Sequence, residues 1–226
     1  MNVLITGAGR GIGLGFTEYY LKLGHTVYGC YRTESEILTT LAEQYNDLNL
    51  LQWDVTRPAS DVLLKSLPGH LDLIINNAGI YGPKKEGQSL QKVTPEAMHE
   101  VYDVDCIAPL RVVQTLQEKL SRPGGVIANI SSKMGSSGDN TSGGTYAYRA
   151  AKAALVIISK SMAVDLQPEG ISVITLHPGW VRTSMVDFTG LVDVSDSVAG
   201  MAGIIENIEN HEPGAFVAFD GQIVPY

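Results

Sequence analysis

Short apolar runs alternate along the chain with longer stretches whose apolar positions recur at helical spacing. Seven runs read as strands: Asn2–Thr6, Thr26–Cys30, Leu48–Trp53, Leu71–Asn76, Gly125–Ile130, Ile171–Leu176 and Ala215–Phe219. Several are apolar almost without interruption, the pattern of parallel strands buried on both faces. Between them the spacing predicts helices over Ile12–Leu23, Glu34–Tyr45, Ser60–Ser66, Thr94–Ser121, Tyr146–Gln167 and Ser195–Ile208. Thr94-Pro95-Glu96 has the chemistry of a helix start: a capping hydroxyl, a proline where no N–H is needed, and an acid at the positive end of the dipole. Ser195 followed by Asp196 repeats part of that signal. The βαβα order implies one α/β domain over residues 1–226, a doubly wound parallel sheet of about seven strands with right-handed crossovers. Gly135–Thr145, rich in glycine and serine, is too short to separate domains and reads as a surface loop.

Composition narrows the class. With 44% hydrophobic and 18% charged residues, the chain is globular rather than disordered. A net charge of −8 disfavours a nucleic-acid surface while leaving room for a local cationic pocket. Cys30 and Cys106 read as two reduced core thiols, not a disulfide framework. No run of eighteen uncharged apolar residues calls for a membrane, and the first residues lack a basic leader. The expected setting is the cytoplasm.

Thr6-Gly7-Ala8-Gly9-Arg10-Gly11-Ile12-Gly13 closes the first strand and opens a helix. Glycines let backbone approach a pyrophosphate, and the helix N-terminus supplies N–H donors and positive dipole. The expected ligand is a dinucleotide. Arg32 follows the second strand, and Arg10 lies inside the glycine loop. Two guanidinium groups near the adenosine ribose suit a 2′-phosphate, hence NADP(H) rather than NAD(H). As solvated surface charges they would leave Glu34 or Glu36 to hold the ribose. Asp54, before Val55, suits either the adenine amino group or a cap. Asn76-Asn77-Ala78-Gly79 ends the fourth strand, where open α/β sheets bind ligands, though an Asx turn would look the same.

Tyr148 and Lys152 stand at i and i+4 in an alanine-rich helical pattern, so they share a face. A nearby ammonium favours phenolate and lowers a tyrosine pKa, as a general acid/base near neutral pH requires. Tyr81 and Lys85 have the same spacing, but Gly82 and Pro83 between them predict a loop. Tyr146 is the nearest rival phenol. The strand ending Ser131-Ser132 brings a hydroxyl toward the pair.

Together these residues resemble the short-chain dehydrogenase/reductase family over almost the whole chain, with Pro178-Gly179 after the sixth strand completing the pattern. Asp139–Gly144, His177–Thr183, and Gly214–Phe216 with Asp220-Gly221 resemble its carbonyl-reductase-like group, which includes the C-factor and sniffer proteins. The resemblance implies a Rossmann-type fold and hydride exchange between NADP(H) and a small carbonyl or alcohol. It implies that Ser132 holds the carbonyl oxygen, Tyr148 carries the proton, and Lys152 binds the nicotinamide ribose and tunes Tyr148. It places the cofactor on Gly7, Gly9, Arg10, Gly11, Ile12, Gly13, Arg32, Asp54, Val55, Asn77, Ala78, Gly79, Pro178, Gly179, Val181 and Thr183, besides Tyr148 and Lys152. Thr183 would contact the carboxamide or phosphate. Ser131 is expected to be structural. Dimers and tetramers built on the long helices occur in such proteins, so a homodimer or homotetramer is one expectation.

Two departures stand out. The Ser132–Tyr148 gap exceeds the usual family spacing, which the glycine-rich loop absorbs. The helix position that commonly holds a catalytic asparagine is Asp105. The five histidines form no metal-ligand pattern, and His177 before Pro178 reads as structural. Met134, Trp180, Met185 and Phe188 suit either an apolar substrate pocket or ordinary packing. The rival readings are a nucleotide-binding regulator with little turnover and a dehydratase or epimerase on the same fold. Chain length and glycine spacing disfavour the second.

Overall fold

The computed structural model describes residues 1–226, the side chain of Lys85 lying outside the described residues. Seven strands, β1 Asn2–Thr6, β2 Thr26–Tyr31, β3 Leu48–Gln52, β4 Leu73–Asn76, β5 Val126–Ile130, β6 Ser172–His177 and β7 Phe216–Ala218, form one sheet. Its order is β3-β2-β1-β4-β5-β6-β7, and every pairing is parallel. The order reverses between β1 and β4, opening a crevice at their carboxyl ends where such sheets bind ligands.

Side chains alternate across the sheet and supply two cores. On one face, Val3, Ile5, Leu73, Ile75 and Ala128 pack against Phe16 and Tyr20 of α1 Gly11–Lys22, Leu38 of α2 Glu36–Gln44, and Val198 and Met201 of α7 Val194–Glu206. On the other, Leu4, Ile74 and Ile127 meet Leu63 of α3 Asp61–Ser66, Val112 and Leu116 of α5 Ala108–Leu116, and Met162 of α6 Tyr146–Leu166. Each fully buried aliphatic side chain contributes about 1.5–3 kcal/mol, so both layers of helices are anchored by the apolar runs themselves.

The expected helix Thr94–Ser121 is broken. It runs as α4 Pro95–Tyr102, one π turn over Asp103–Ile107, and α5. Pro109 has no N–H to donate to the carbonyl of Asp105 four residues back, and its ring crowds that carbonyl. The ladder shifts accordingly, and Ala108 N–H bonds the Asp103 carbonyl five residues back. Smaller corrections follow local chemistry. Helix α2 begins after its Ser35 cap, with the serine oxygen accepting from Leu38 N–H. Strand β4 starts at Leu73, Leu71 forming only a bridge to Leu120. The Thr94 cap is as expected, its hydroxyl accepting from Ala97 N–H. Among the described residues, no helix is long and apolar enough to cross a membrane.

Candidate active site

The glycine loop sits at the end of β1, packed against the end of β4. Gly7 has φ +68°, and a Cβ there would stand 2.9 Å from Ala78 Cα. A Cβ on Gly13 would stand 2.2 Å from the Gly7 carbonyl oxygen. Asn77 Nδ2 donates to the carbonyls of Thr6 (2.9 Å) and Gly7 (3.3 Å), while Thr6 Oγ1 accepts from Asn77 and Ala78 N–H, both at 3.0 Å. Asn77 thus fixes the cradle against the end of β4. Ser35 Oγ ties Gly9 from outside at 2.8 Å. Helix α1, carrying Ile12, opens with no acid in its first turn and no side-chain cap from Arg10, which leaves its N–H groups and dipole available.

Arg10 and Arg32 are both exposed. The arginine ion pairs among the described residues belong to Arg111, Arg122 and Arg182, leaving these two without one. A close-packed backbone cradle, an uncapped helix start and two unpaired cations fit the phosphates of a dinucleotide. Asp54 Oδ1 accepts from Thr56 N–H and Oγ1 at 3.0 and 2.7 Å. That is the cap-like alternative, and these bonds, the hydroxyl's foremost, lower its pKa. Val55 is buried, and its carbonyl accepts from Arg111.

Beyond β6, Gly179 (φ +85°) turns beneath the Phe219 ring, and the Pro178 carbonyl accepts from Ser197 Oγ at 2.6 Å. Val181 is buried and bridged to Val192. Thr183 lies against the glycine loop, its Cγ2 3.3 Å from where a Gly11 Cβ would be. The Lys84–Asp187 ion pair, 2.5 Å, joins this loop to the one after β4. Trp180 and Phe188, 50% and 68% exposed, are not core residues; Met134 packs beside Tyr148.

The reactive cluster forms where β5 ends beside α6. Tyr148 and Lys152 are buried, the Lys152 Nζ lying 5.6 Å from the centre of the Tyr148 ring. Ser132 is buried, its Oγ accepting from Met134 N–H at 3.2 Å, and its hydroxyl beside the phenol helps pull the Tyr148 pKa down. Ser131 instead donates to the Lys152 carbonyl at 2.9 Å, a structural bond. Tyr146 is 38% exposed, and the phenol among these groups is Tyr148. Lys152 Nζ donates to the Ile130 carbonyl at 3.0 Å and faces Asp105 Oδ2 at 3.1 Å. This second contact is an ion pair whose angles fall short of a hydrogen bond. The other Asp105 oxygen accepts from Ile80 N–H at 2.8 Å.

The electrostatics differ from the expectation drawn from spacing alone. Burial raises the Tyr148 pKa; Lys152 pulls it back, but Asp105 adds to the rise, and the net direction is upward. Burial, the largest single effect, would favour a neutral Lys152 amine, yet Asp105 together with Tyr148 and Cys106 outweighs it and the ammonium is held. Burial lifts the Asp105 carboxyl despite Lys152. His177 accepts from Lys133 N–H, and burial, then the Lys133 charge, lowers its pKa to about 4. It stays neutral and structural. An apolar cavity of about 340 Å³ between α4 and α6 includes none of these groups. No cluster of metal-ligating side chains occurs among the described residues.

Gln88 escaped the sequence reading, and no local signal marks it: its partners are 5, 7 and 60 positions away. The π turn that presents Asp105 was legible in Pro109.

A glycine cradle at the switch point of a doubly wound sheet, with serine, tyrosine and lysine buried beside it, is the arrangement expected of the short-chain dehydrogenase/reductase family. Residues 1–190 match the short chain dehydrogenase family, and the chain belongs to it. It is 38% identical to the C-signal protein of Myxococcus xanthus over 160 residues, 70% of this chain and 94% of that one. Among solved structures it is similar to the NADPH-bound carbonyl reductase from chicken fatty liver, with TM-score 0.89 and 33% identity over 100% of this chain and 98% of that one. It is also similar to the carbonyl reductase Sniffer of D. melanogaster, with TM-score 0.91 and 28% identity over 100% and 99%.

Proposed function

We propose that this single-domain protein uses NADP(H) to reduce a small carbonyl compound, or to oxidise the corresponding alcohol. The observation that carries the proposal is the buried Ser132–Tyr148–Lys152 cluster beside the glycine cradle. The cofactor would lie along Gly7–Gly13, with Arg10 and Arg32 toward its 2′-phosphate and Thr183 and Asn77–Gly79 along its length. The NADPH bound to the similar chicken reductase supports this choice. When bound, the nicotinamide supplies or accepts the hydride.

Tyr148 Oη donates a proton to the substrate oxygen during reduction and takes one back during oxidation. Ser132 Oγ holds that oxygen by a hydrogen bond. An ammonium has three donors. Ile130 takes one from Lys152 and Asp105 faces a second, so the third is free for a ribose hydroxyl. Tyr81, its ring centre 5.1 Å from that of Tyr148, forms one wall beside the phenol.

The test is NADPH consumption against a panel of aldehydes, ketones and quinones. Turnover that disappears in Tyr148→Phe supports the proposal. The likeness to the C-signal protein favours a second reading, a nucleotide-binding regulator, which would bind NADPH tightly and turn over none of the panel.

A further inference from the structure

Helix α6 starts without a cap of its own. Thr145, before its first residue, has φ +53°, and its side chain caps no N–H. Tyr148 is the third residue of the helix, so its N–H has no partner within it. Gln88 supplies that partner from the turn Lys85–Gln88: its Oε1 accepts from Tyr148 N–H at 2.9 Å. The same amide turns its Nε2 the other way, donating to the carbonyls of Tyr81 at 2.6 Å and Pro83 at 3.0 Å. Gln88 is 2% exposed. One acceptor faces one donor and two N–H groups face two carbonyls, so the orientation of the amide is set by its partners. The loop it holds carries Tyr81, whose hydroxyl also reaches Thr145 Oγ1 at 3.4 Å. Gly82, φ +79°, leaves no room for a side chain, since a Cβ would meet Val101 at 2.5 Å.

From this geometry we infer that Gln88 is a positioning residue with two separable duties. Its carbonyl fixes where the Tyr148 phenol stands relative to Ser132 and Lys152, and so acts on kcat. Its amide nitrogen fixes the Tyr81–Pro83 wall of the substrate cleft, and so acts on KM. The inference rests on Tyr148 being the proton donor. Displacing a reacting group by a fraction of an ångström to an ångström costs up to about a hundredfold in rate.

The experiment compares Gln88→Met, which removes both duties at nearly constant volume, with Gln88→Glu, which keeps the acceptor and loses the donors. Reduction of the best carbonyl of the panel is followed at neutral pH, with NADPH affinity by fluorescence and folding by circular dichroism. Gln88→Met is expected to lower kcat roughly ten- to a hundredfold and raise KM severalfold, with NADPH affinity within about twofold. Gln88→Glu is expected to keep kcat within about threefold while raising KM. A folded Gln88→Met protein with wild-type kcat and KM overturns the inference. Should Gln88→Met fail to fold, Gln88→Glu decides alone: a loss confined to KM supports the two duties, and a loss in kcat with unchanged KM refutes them. Tyr148→Phe separates the layers. If it keeps full turnover, the assignment of the donor falls and this inference with it; if it is inactive while Gln88→Met is normal, only this inference falls.

Discussion

Replacing Asp105 by asparagine removes one negative charge and almost no volume. The carboxylate is fully buried, with Oδ2 3.1 Å from Lys152 Nζ, itself 5.6 Å from the centre of the Tyr148 ring. The charge therefore lies within roughly 9 Å of the ring, the 3.1 and 5.6 Å steps laid end to end. At an effective dielectric of about 20 that separation is worth about 2 kcal/mol against a phenolate, or roughly thirtyfold in the phenolate-to-phenol ratio. Asp105 raises the phenol pKa, so Asp105→Asn should lower it. The asparagine oxygen can still accept from Ile80 N–H, and Lys152 keeps its bond to Ile130. Turnover at neutral pH should stay within roughly tenfold, while the tyrosine limb of the pH profile moves down by about a unit or more. The assay is kcat/KM against pH in both directions, with ultraviolet tyrosinate spectra referred to Tyr148→Phe. Alcohol oxidation should gain at neutral pH, because it needs the phenolate. A limb that stays in place means the carboxyl is already protonated. One that rises means Lys152, stripped of its anion, loses its proton first. Either result refutes the reasoning.

Tyr148→Phe should lower turnover by at least about a hundredfold with NADPH affinity nearly intact, whereas the exposed Tyr146 should tolerate the same change; the reverse pattern in steady-state rates would move the assignment. Arg32→Ala should erode a preference for NADPH over NADH in binding titrations, and added salt should narrow it, since the guanidinium is exposed. Tighter binding of NADH by the unaltered protein would falsify the 2′-phosphate assignment. The fall of the His177 pKa from 6.5 to about 4 has a stability consequence of definite sign. Between those values the unfolded chain binds a proton that the folded one refuses, so stability is lost as pH drops through that window, by up to roughly 3 kcal/mol. His25, lowered chiefly by burial, adds slope of the same sign. Urea denaturation at several pH values should therefore show a shallower fall in His177→Gln than in the wild type, and equal slopes would refute the assignment.

The fold was legible because most of the parallel strands, covered on both faces, are short apolar runs, and their length and flanking turn residues mark them as strands. The glycine cradle was legible for a similar reason: Gly7 and Gly13 leave no space for a Cβ, so the constraint is written in residue type. Where local chemistry competed, the sequence left the outcome open. Asp54 could serve adenine or its own loop: its Oδ1 accepts from Thr56 two residues on, while Oδ2 makes no bond within that loop. The break in the long helix is also written in the sequence. Apolar periodicity continues through Asp103–Ile107, but Pro109 forbids the bond that a continuous helix needs there. Gln88 is different in kind, since a cap supplied from 60 positions away leaves no mark on the helix it caps.

The charge state of the site shows why spacing reveals partners but not balances. Residues at i and i+4 meet on any helix, so Tyr148 and Lys152 could be paired from sequence, and the pairing implied an acidified phenol. The sign of the net effect depended on two facts absent from that spacing: the phenol is buried, and the ammonium already faces a carboxylate. That carboxylate arrives because the π turn carries Asp105 to the loop at Gly79–Ile80, where Ile80 N–H fixes one of its oxygens. The turn caused by Pro109 therefore sets both where the acid stands and how much of the Lys152 field it cancels. An asparagine at this position would accept the same backbone N–H and cancel none of that field. In this chain, on the proposed mechanism, the free-protein phenol is biased toward its protonated form, which suits donation to a carbonyl oxygen better than abstraction from an alcohol.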